Sequence, residues 1–460
     1  MSSRAMDELR EIISGISRRA GYADLYMQSG ASHSILFEEG RMDTLSSSRS
    51  DGLGVRVIKG ENTIYSHMIG TSSASAAKAL TDVLLASGEG DSPHIDGDEP
   101  LLDLDAAVPA LDSAFFHDMD KKLREECRYL RQLTFRYSTS RKSILIVKGD
   151  GSVAKDDREY STFAVHVVLE KDGSLETGYE ARSLASGVDA LWSGDGPDAE
   201  GIARGALERG LIMLDAAPCP AGNMMALMDG SAGGTMIHEA CGHGLEADII
   251  QKDFSSFRDK IGEQVASSLV TLIDDATLRG RYGSYGCDDE GTSAQMTVLI
   301  ENGVLKGYMT DILSAKIGGL PASGNGRRES YQRQPLPRMS NTFIARGESD
   351  FGEMLEKVDR GLLVKKMGGG EVNPTSGDFV FYVSEGYIID KGKIGRAVKG
   401  ATLTGNGPEA LKNIIAVGGN LVLDPGTCGK SGQSVPVTDG QPTLLISNLT
   451  VGGSDTGNDG

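Results

Sequence analysis

Long hydrophobic runs are missing from this chain. No stretch of about 18 apolar residues occurs, which argues against a membrane-crossing helix. Proline is scarce, 14 in 460 residues against 61 glycines, so turns and backbone-lined surfaces are expected rather than stiff linkers. The five cysteines (Cys127, Cys219, Cys241, Cys287 and Cys428) are odd in number, widely spaced and without a Cys-x-x-Cys pair. That argues against a disulfide scaffold and for a reducing compartment. Basic charge is also short, with 46 Lys and Arg against 65 acids and a net charge of −19. Such a surface repels phosphate backbones, so no nucleic-acid partner is expected. The first residues lead into an amphipathic pattern with no apolar signal core, and the expected location is cytoplasmic.

What is present is the composition of a globular protein, 39% apolar and 24% charged, long enough for two or three domains. Leu9, Ile12, Ile13 and Ile16 recur at helical spacing, with Gly21 as a stop. Strands are expected at 23–28, 34–37, 54–58 and 63–68, then a helix over 73–86. Residues 89–105 carry seven acids and no Lys or Arg, and read as a linker. A helix over 112–133, strands at 143–147 and 162–169 and a helix over 198–214 follow. From 221 onward the pattern is mainly strand and loop: strands at 224–228, 297–300, 379–383, 387–389 and 443–446, a loop at 230–235 and a helix over 236–247. The expected fold is α+β and multi-domain. N-terminal helix/sheet domains at 1–90 and 111–217 precede a β-rich domain at 221–460.

That last domain carries the most informative stretch, His238-Glu239-Ala240-Cys241-Gly242-His243. Two of the chain's seven histidines and an acid fall within six residues. Two neutral nitrogens suit a borderline metal such as zinc, and a neighbouring carboxylate can take a proton from a bound water. The usual zincin helix spaces its histidines four apart, on one face. Here they stand five apart, about 140° round an ideal helix. Both rings reach one ion if the turn widens, as in a π-bulge, or if the helix ends before His243. Gly242 is expected to supply the dihedral freedom for that relaxation.

A catalytic zinc site wants a third protein ligand. Cys241, Glu246 and Asp248 are near in sequence; Cys428 is distant, in the glycine-flanked segment Gly426-Thr427-Cys428-Gly429-Lys430. Spacing alone leaves Cys428 and Glu246 open. Gly429-Lys430-Ser431 resembles the end of a phosphate loop, but Asp424 stands where that pattern needs glycine, and the nucleotide reading fails. Asp288-Asp289-Glu290 is expected to be a solvated turn. Arg327-Arg328 suits either a substrate carboxylate or a salt bridge. The glycine-rich segments 230–234 and 368–370 offer backbone edges to an extended peptide.

Taken together, these residues resemble the TldD/PmbA family of metalloproteases, in its TldD branch. The likeness runs through His238–Asp248, Asp288-Asp289-Glu290-Gly291-Thr292, Gly324-Asn325-Gly326-Arg327-Arg328-Glu329, Arg338-Met339-Ser340-Asn341-Thr342, Pro374-Thr375-Ser376-Gly377-Asp378-Phe379, Cys428-Gly429-Lys430-Ser431-Gly432-Gln433-Ser434 and Asn448-Leu449-Thr450-Val451-Gly452-Gly453. The resemblance implies a cytoplasmic peptidase that degrades small or unfolded peptides inside a closed dimeric chamber. It implies His238, His243 and Cys428 as ligands of zinc or another transition metal, and Glu239 as the catalytic acid/base. It also implies a homodimer, or a heterodimer with a PmbA-type subunit that lacks the motif. Two alternatives stand beside this expectation. One is a non-catalytic peptide-binding subunit with a structural metal closed by Cys241 or Glu246. The other is a peptidase of the HELLGH dipeptidyl-peptidase type.

Overall fold

A computed structural model describes residues 3–88, 93, 95, 101–102, 113–187, 191, 197–373 and 375–453. Of the expected linker only 93, 95, 101 and 102 are described, and there Ile95 and Leu101 are buried in an apolar core rather than at the surface; Pro374 lies outside the described residues. The expected α+β architecture is present. Its first half is one antiparallel sheet of very long strands: β1 (Gly21–Glu38), β2 (Arg41–Lys59), β3 (Asn62–Ile69), β4 (Leu130–Val147), β5 (Val153–Lys171) and β6 (Ser174–Leu184), in the order β3-β2-β1-β4-β5-β6. The strands expected at 23–28 and 34–37 are one strand. Between them lies Ser29-Gly30-Ala31-Ser32-His33, which has no apolar alternation yet pairs without a break on both sides.

Helices cover the two ends of this sheet and leave its serine-rich middle bare. Helices α1 (Ser3–Ala20) and α2 (Ser73–Ser87) bury Leu9, Ile13, Leu80 and Val83 against Leu25, Val55 and Val57. Helix α3 (Ser113–Glu126) and the helix Ala199–Leu214 bury Phe116, Leu123 and Ile202 against Phe37, Phe135 and Phe163. In the middle, polar pairs such as Ser32 Oγ with Ser48 Oγ at 2.8 Å replace apolar packing. The sheet thus draws strands from both N-terminal segments, and each end has its own hydrophobic core. The helix expected over 112–133 ends at Glu126. Beyond it Leu133, Phe135 and Tyr137 are buried on one face at period two, and strand burial overrides the helical spacing of Leu123, Cys127 and Leu130.

The second half holds two large sheets and a two-stranded pair, Gly326–Arg327 with Leu336–Pro337. In the first, Gly222–Met228, Arg360–Val372, Asp378–Asp390, Thr402–Asn406 and Leu444–Gly452 pair in a closed ring, so the five form a small barrel. Closure removes free edges, and Phe379, Phe381, Leu403 and Ile446 enter the main core. The other sheet has six strands and ends in the hairpin Val422–Lys430 and Gln433–Gln441. The glycine-flanked segment around Cys428 is therefore an edge strand. The histidine motif packs beside both sheets, in the same core.

The acids expected to be solvated are buried instead. Asp288, Asp289 and Glu290 are at most 1% exposed. Asp288 accepts from the amides of Thr292 and Gly326, and the other two meet cations from the N-terminal sheet: Arg56 Nη1 donates to Glu290 at 2.6 Å, and Arg158 Nη1 donates to Asp289 at 2.8 Å. Buried carboxylates need such partners, and here they fasten one half of the molecule to the other. Arg327 and Arg328 are likewise buried and structural. Arg327 donates to the carbonyls of Met339 and Pro436, and Arg328 to the carbonyl of Asp289.

Candidate metal centre

The continuous helix expected over 236–247 is broken into three short pieces. An α-helical turn at Thr235–Ile237 opens into a π turn over His238–Gly242, then tightens to a 3₁₀ turn over His243–Leu245. The amide of His243 donates to the carbonyl of His238, five residues back. One such widened turn is what a five-residue spacing requires for both imidazoles to share a face. Their ring centroids lie 5.0 Å apart and nearly perpendicular.

Gly242 plays a different part from the one expected. Its φ of −57° and ψ of −53° are open to any residue. What it supplies is space, because a Cβ there would lie 2.1 Å from Met339 Sδ. The π turn is pressed against Met339 so closely that any Cβ would force the buried methionine or the turn to shift.

Cys428 arrives from the edge strand. Its Sγ lies 3.5 Å from His243 Nε2, and the ligand atoms of His238, His243 and Cys428 all fall within 4.8 Å of one another. Zinc–sulfur and zinc–nitrogen bonds of about 2.3 and 2.0 Å in a tetrahedron put sulfur and nitrogen roughly 3.5 Å apart. The observed separation matches that edge. Two imidazoles and a thiol form a donor set suited to zinc and other soft or borderline transition metals rather than calcium or magnesium.

Each imidazole is held from behind by a carboxylate. His238 Nδ1 lies 2.6 Å from Asp439 Oδ1, and His243 Nδ1 lies 2.9 Å from Glu246 Oε2. Carboxylates accept, so each Nδ1 carries the proton and each Nε2 is turned towards the thiol. Burial lowers the affinity of both rings for a second proton, but the neighbouring carboxylates outweigh it. His238 is raised well above the usual histidine range, and His243 is raised to about 9. Burial likewise pushes the Cys428 thiol up, yet hydrogen bonds from the two histidines and their charge bring it down to about 5. A thiolate between two imidazoles is the donor set that a metal cation would neutralise.

Glu239 stands at the mouth of this cluster. Its side chain is 31% exposed, with Oε2 4.0 Å from His243 Nε2. Glu246 stands behind His243 rather than beside the thiol, and its carboxylate is fully buried. Cys241 packs in the hydrophobic core, where burial pushes its thiol up to about 12. Asp248 pairs with Lys430 at 2.6 Å. Of the four candidates for a third ligand, the fold brings only Cys428 to the two histidines. The carboxylate behind His238 was not legible in the sequence, because Asp439 lies 201 positions from that histidine and looks like an ordinary turn residue.

Sequence comparison places most of the chain in one family. Residues 221–453 match the PmbA/TldA metallopeptidase C-terminal domain, with domain 1 matched at 23–87 and the central domain at 99–214. The chain belongs to the PmbA/TldD metallopeptidase family. It is 38% identical to a metalloprotease TldD homolog of Haemophilus influenzae over 91% of this chain and 89% of that protein. It is 35% identical to a metalloprotease TldD homolog of Buchnera aphidicola over 88% and 86% of the two chains. Among solved structures, TldE from Thermococcus kodakarensis superposes with a TM-score of 0.72 at 17% identity, covering 96% of this chain and 99% of that one. A putative modulator of DNA gyrase from Thermotoga maritima superposes with a TM-score of 0.76 at 20% identity, covering 97% and 99%. These structures share the fold, and this PmbA/TldD member is a metalloprotease by its family. Among its described residues no helix is long and apolar enough to cross a membrane.

Proposed function

We propose that this metallopeptidase is a zinc enzyme in which His238, His243 and Cys428 hold the metal and Glu239 is the catalytic acid/base. The observation that carries the reading is the convergence of the three donor atoms within 4.8 Å, with the half-exposed Glu239 carboxylate 4.0 Å from one of them. When bound, the metal supplies Lewis-acid polarisation of the scissile carbonyl and of the attacking water. Asp439 and Glu246 hold the imidazoles in the tautomer that leaves Nε2 free to bind. Glu239 takes the proton from the attacking water and returns it to the leaving amine. Its partial exposure gives it access to both. With Cys241 in the core and Glu246 behind His243, no fourth protein donor joins the three among the described residues, which favours catalysis over a structural metal.

Peptide is the substrate class we infer. The two glycine-rich segments noted in the sequence line one cavity of about 300 Å³, with Ala232 and Gly233 on one wall, Met367 and Gly368 on another, and Asp424 and Pro425 from the cysteine strand. The glycines leave backbone edges open to an extended chain, and the ion pairs Arg209–Glu180 and Lys366–Asp424 line the same cavity. The chain works in this reading as segments 1–90, 111–217 and 221–460, in a cytoplasmic dimer that encloses its site, with either a second copy or a PmbA-type subunit.

The test is peptide hydrolysis by the purified chain, alone and with a PmbA-type partner, before and after a strong chelator. Chelation is expected to abolish turnover and zinc to restore it, and Glu239→Gln to abolish turnover at normal metal content. Chelator-resistant hydrolysis, or turnover by the Gln variant near the wild-type rate, would sink the reading.

A further inference from the structure

The strand Val422–Lys430 stops at a two-residue hairpin turn, Ser431-Gly432, whose φ values of 52° and 68° are those of the tight turn that suits a twisted hairpin. The turn fixes the register, with Lys430 opposite Gln433 and Cys428 opposite Val435. Residues two apart on a strand point to the same face, so Cys428 and Lys430 leave it together. Cys428 Sγ meets His243 Nε2 at 3.5 Å. Lys430 Nζ donates at 2.9 Å to Glu246 Oε2, the oxygen that accepts from His243 Nδ1. One strand therefore grips one imidazole at both nitrogens, directly at Nε2 and through a single carboxylate at Nδ1.

Among the described residues, His243 and Lys430 are the side chains that hold that carboxylate. Glu246 is fully buried, and its Oε1 has no hydrogen-bond partner among the described residues. The Lys430 ammonium spends its three donors on Glu246, on Asp248 Oδ1 at 2.6 Å and on the carbonyl of Pro337 at 3.1 Å. Its side chain is only 9% exposed.

We propose that Lys430 is a positioning residue of the metal centre, fixing the Glu246 carboxylate that orients His243 and so tying the histidine turn to the cysteine strand. The proposal rests on the reading of His238, His243 and Cys428 as ligands. Its competitor is a purely structural role, in which Lys430 does no more than neutralise two buried acids.

Four variants of the full chain separate the two: Lys430→Met, Glu246→Gln, the double variant, and Asp248→Asn. Each is stripped of metal, and zinc affinity is measured by competition with a chromophoric chelator. Cobalt(II) is then added to read the thiolate-to-metal absorption in the near ultraviolet. Loss of an outer partner typically weakens metal binding by about 10- to 100-fold, and that loss is expected for Lys430→Met and for Glu246→Gln. The double variant is expected to be no weaker than the worse single one, because both substitutions break the same chain of contacts. Asp248→Asn is expected to keep wild-type affinity and an unshifted cobalt spectrum. Wild-type affinity in Lys430→Met, losses that multiply in the double variant, or an equal loss in Asp248→Asn would each overturn the proposal. If Lys430→Met does not fold, Glu246→Gln against Asp248→Asn decides: a loss confined to Glu246→Gln supports it, and equal affinities overturn it. A wild-type chain that binds neither zinc nor cobalt defeats the metal-site reading itself, and this proposal falls with it.

Discussion

Cys428 and Cys241 are both buried cysteines of one core, yet their surroundings give them opposite chemistry. Cys428 has two imidazoles against its sulfur and is brought down to about 5, while Cys241, among apolar side chains, is pushed up to about 12. Sequence proximity favours Cys241, which sits inside the histidine motif; position in the fold favours Cys428, 185 residues beyond His243. Thiolate, not thiol, is the metal ligand. Cys428→Ala is therefore expected to lose zinc, and Cys428→Ser nearly as much, since a neutral hydroxyl replaces a thiolate poorly on zinc. Cys241→Ala is expected to keep zinc and lose only packing. Metal content of the three variants after dialysis checks this. Normal zinc in Cys428→Ala, or equal loss from Cys241→Ala, would move the third ligand elsewhere.

At the scale of elements, the π turn shows how one misplaced residue in a helix becomes useful. Five-residue spacing demanded either a widened turn or a helix end, and that much was readable from His238 and His243 alone. Why the turn tolerates its position was not readable, because the neighbour that decides it, Met339, lies far along the chain. Gly242→Ala is expected to cost about 1–3 kcal/mol of stability, the usual range for overpacking a core. It is also expected to reduce zinc content, as the new methyl drives the turn off Met339. Trimming the neighbour, in Gly242→Ala with Met339→Ala, is expected to restore zinc binding. If dihedral freedom were the reason for the glycine, the second substitution would restore nothing. Local patterns elsewhere were legible in proportion to how locally they were decided. Helix α2 ends close to its expected bounds, with Ser72 capping its start and Gly88 its end. The serine-rich middle of β1 was not legible, since its pairing comes from strands on either side rather than from its own pattern. The same holds for Asp289 and Glu290, whose cationic partners Arg158 and Arg56 lie in another sheet.

Those acids matter most at the scale of the whole molecule, where they join the N-terminal sheet to the domain that carries the metal motif. Asp289 Oδ1 accepts from Arg158 of β5, and its Oδ2 accepts from the amide of Arg328 at 2.7 Å. Burial alone would raise its carboxyl, but Arg158 and Lys142 outweigh that and bring it down to about 2. An unfolded aspartate titrates near 3.9, so between these two values the unfolded chain binds the extra proton and the folded chain does not. Stability from this group is therefore complete above about pH 4 and is lost as pH falls through about 2. Asp289→Asn keeps an acceptor but leaves Arg158 with Asp156 as its remaining carboxylate, and at pH 7 is expected to cost about 3 kcal/mol. The gap between wild type and variant is expected to close as urea unfolding is repeated from pH 5 towards pH 2.5, because acid then does to the wild type what the substitution has already done. The metal centre draws its ligands and their carboxylate braces from residues 238–246 and 428–439, apart from this seam. Zinc content of Asp289→Asn at pH 7 is accordingly expected to match wild type. A gap that stays constant with pH would show that the charge of Asp289 is not what fastens the two halves together.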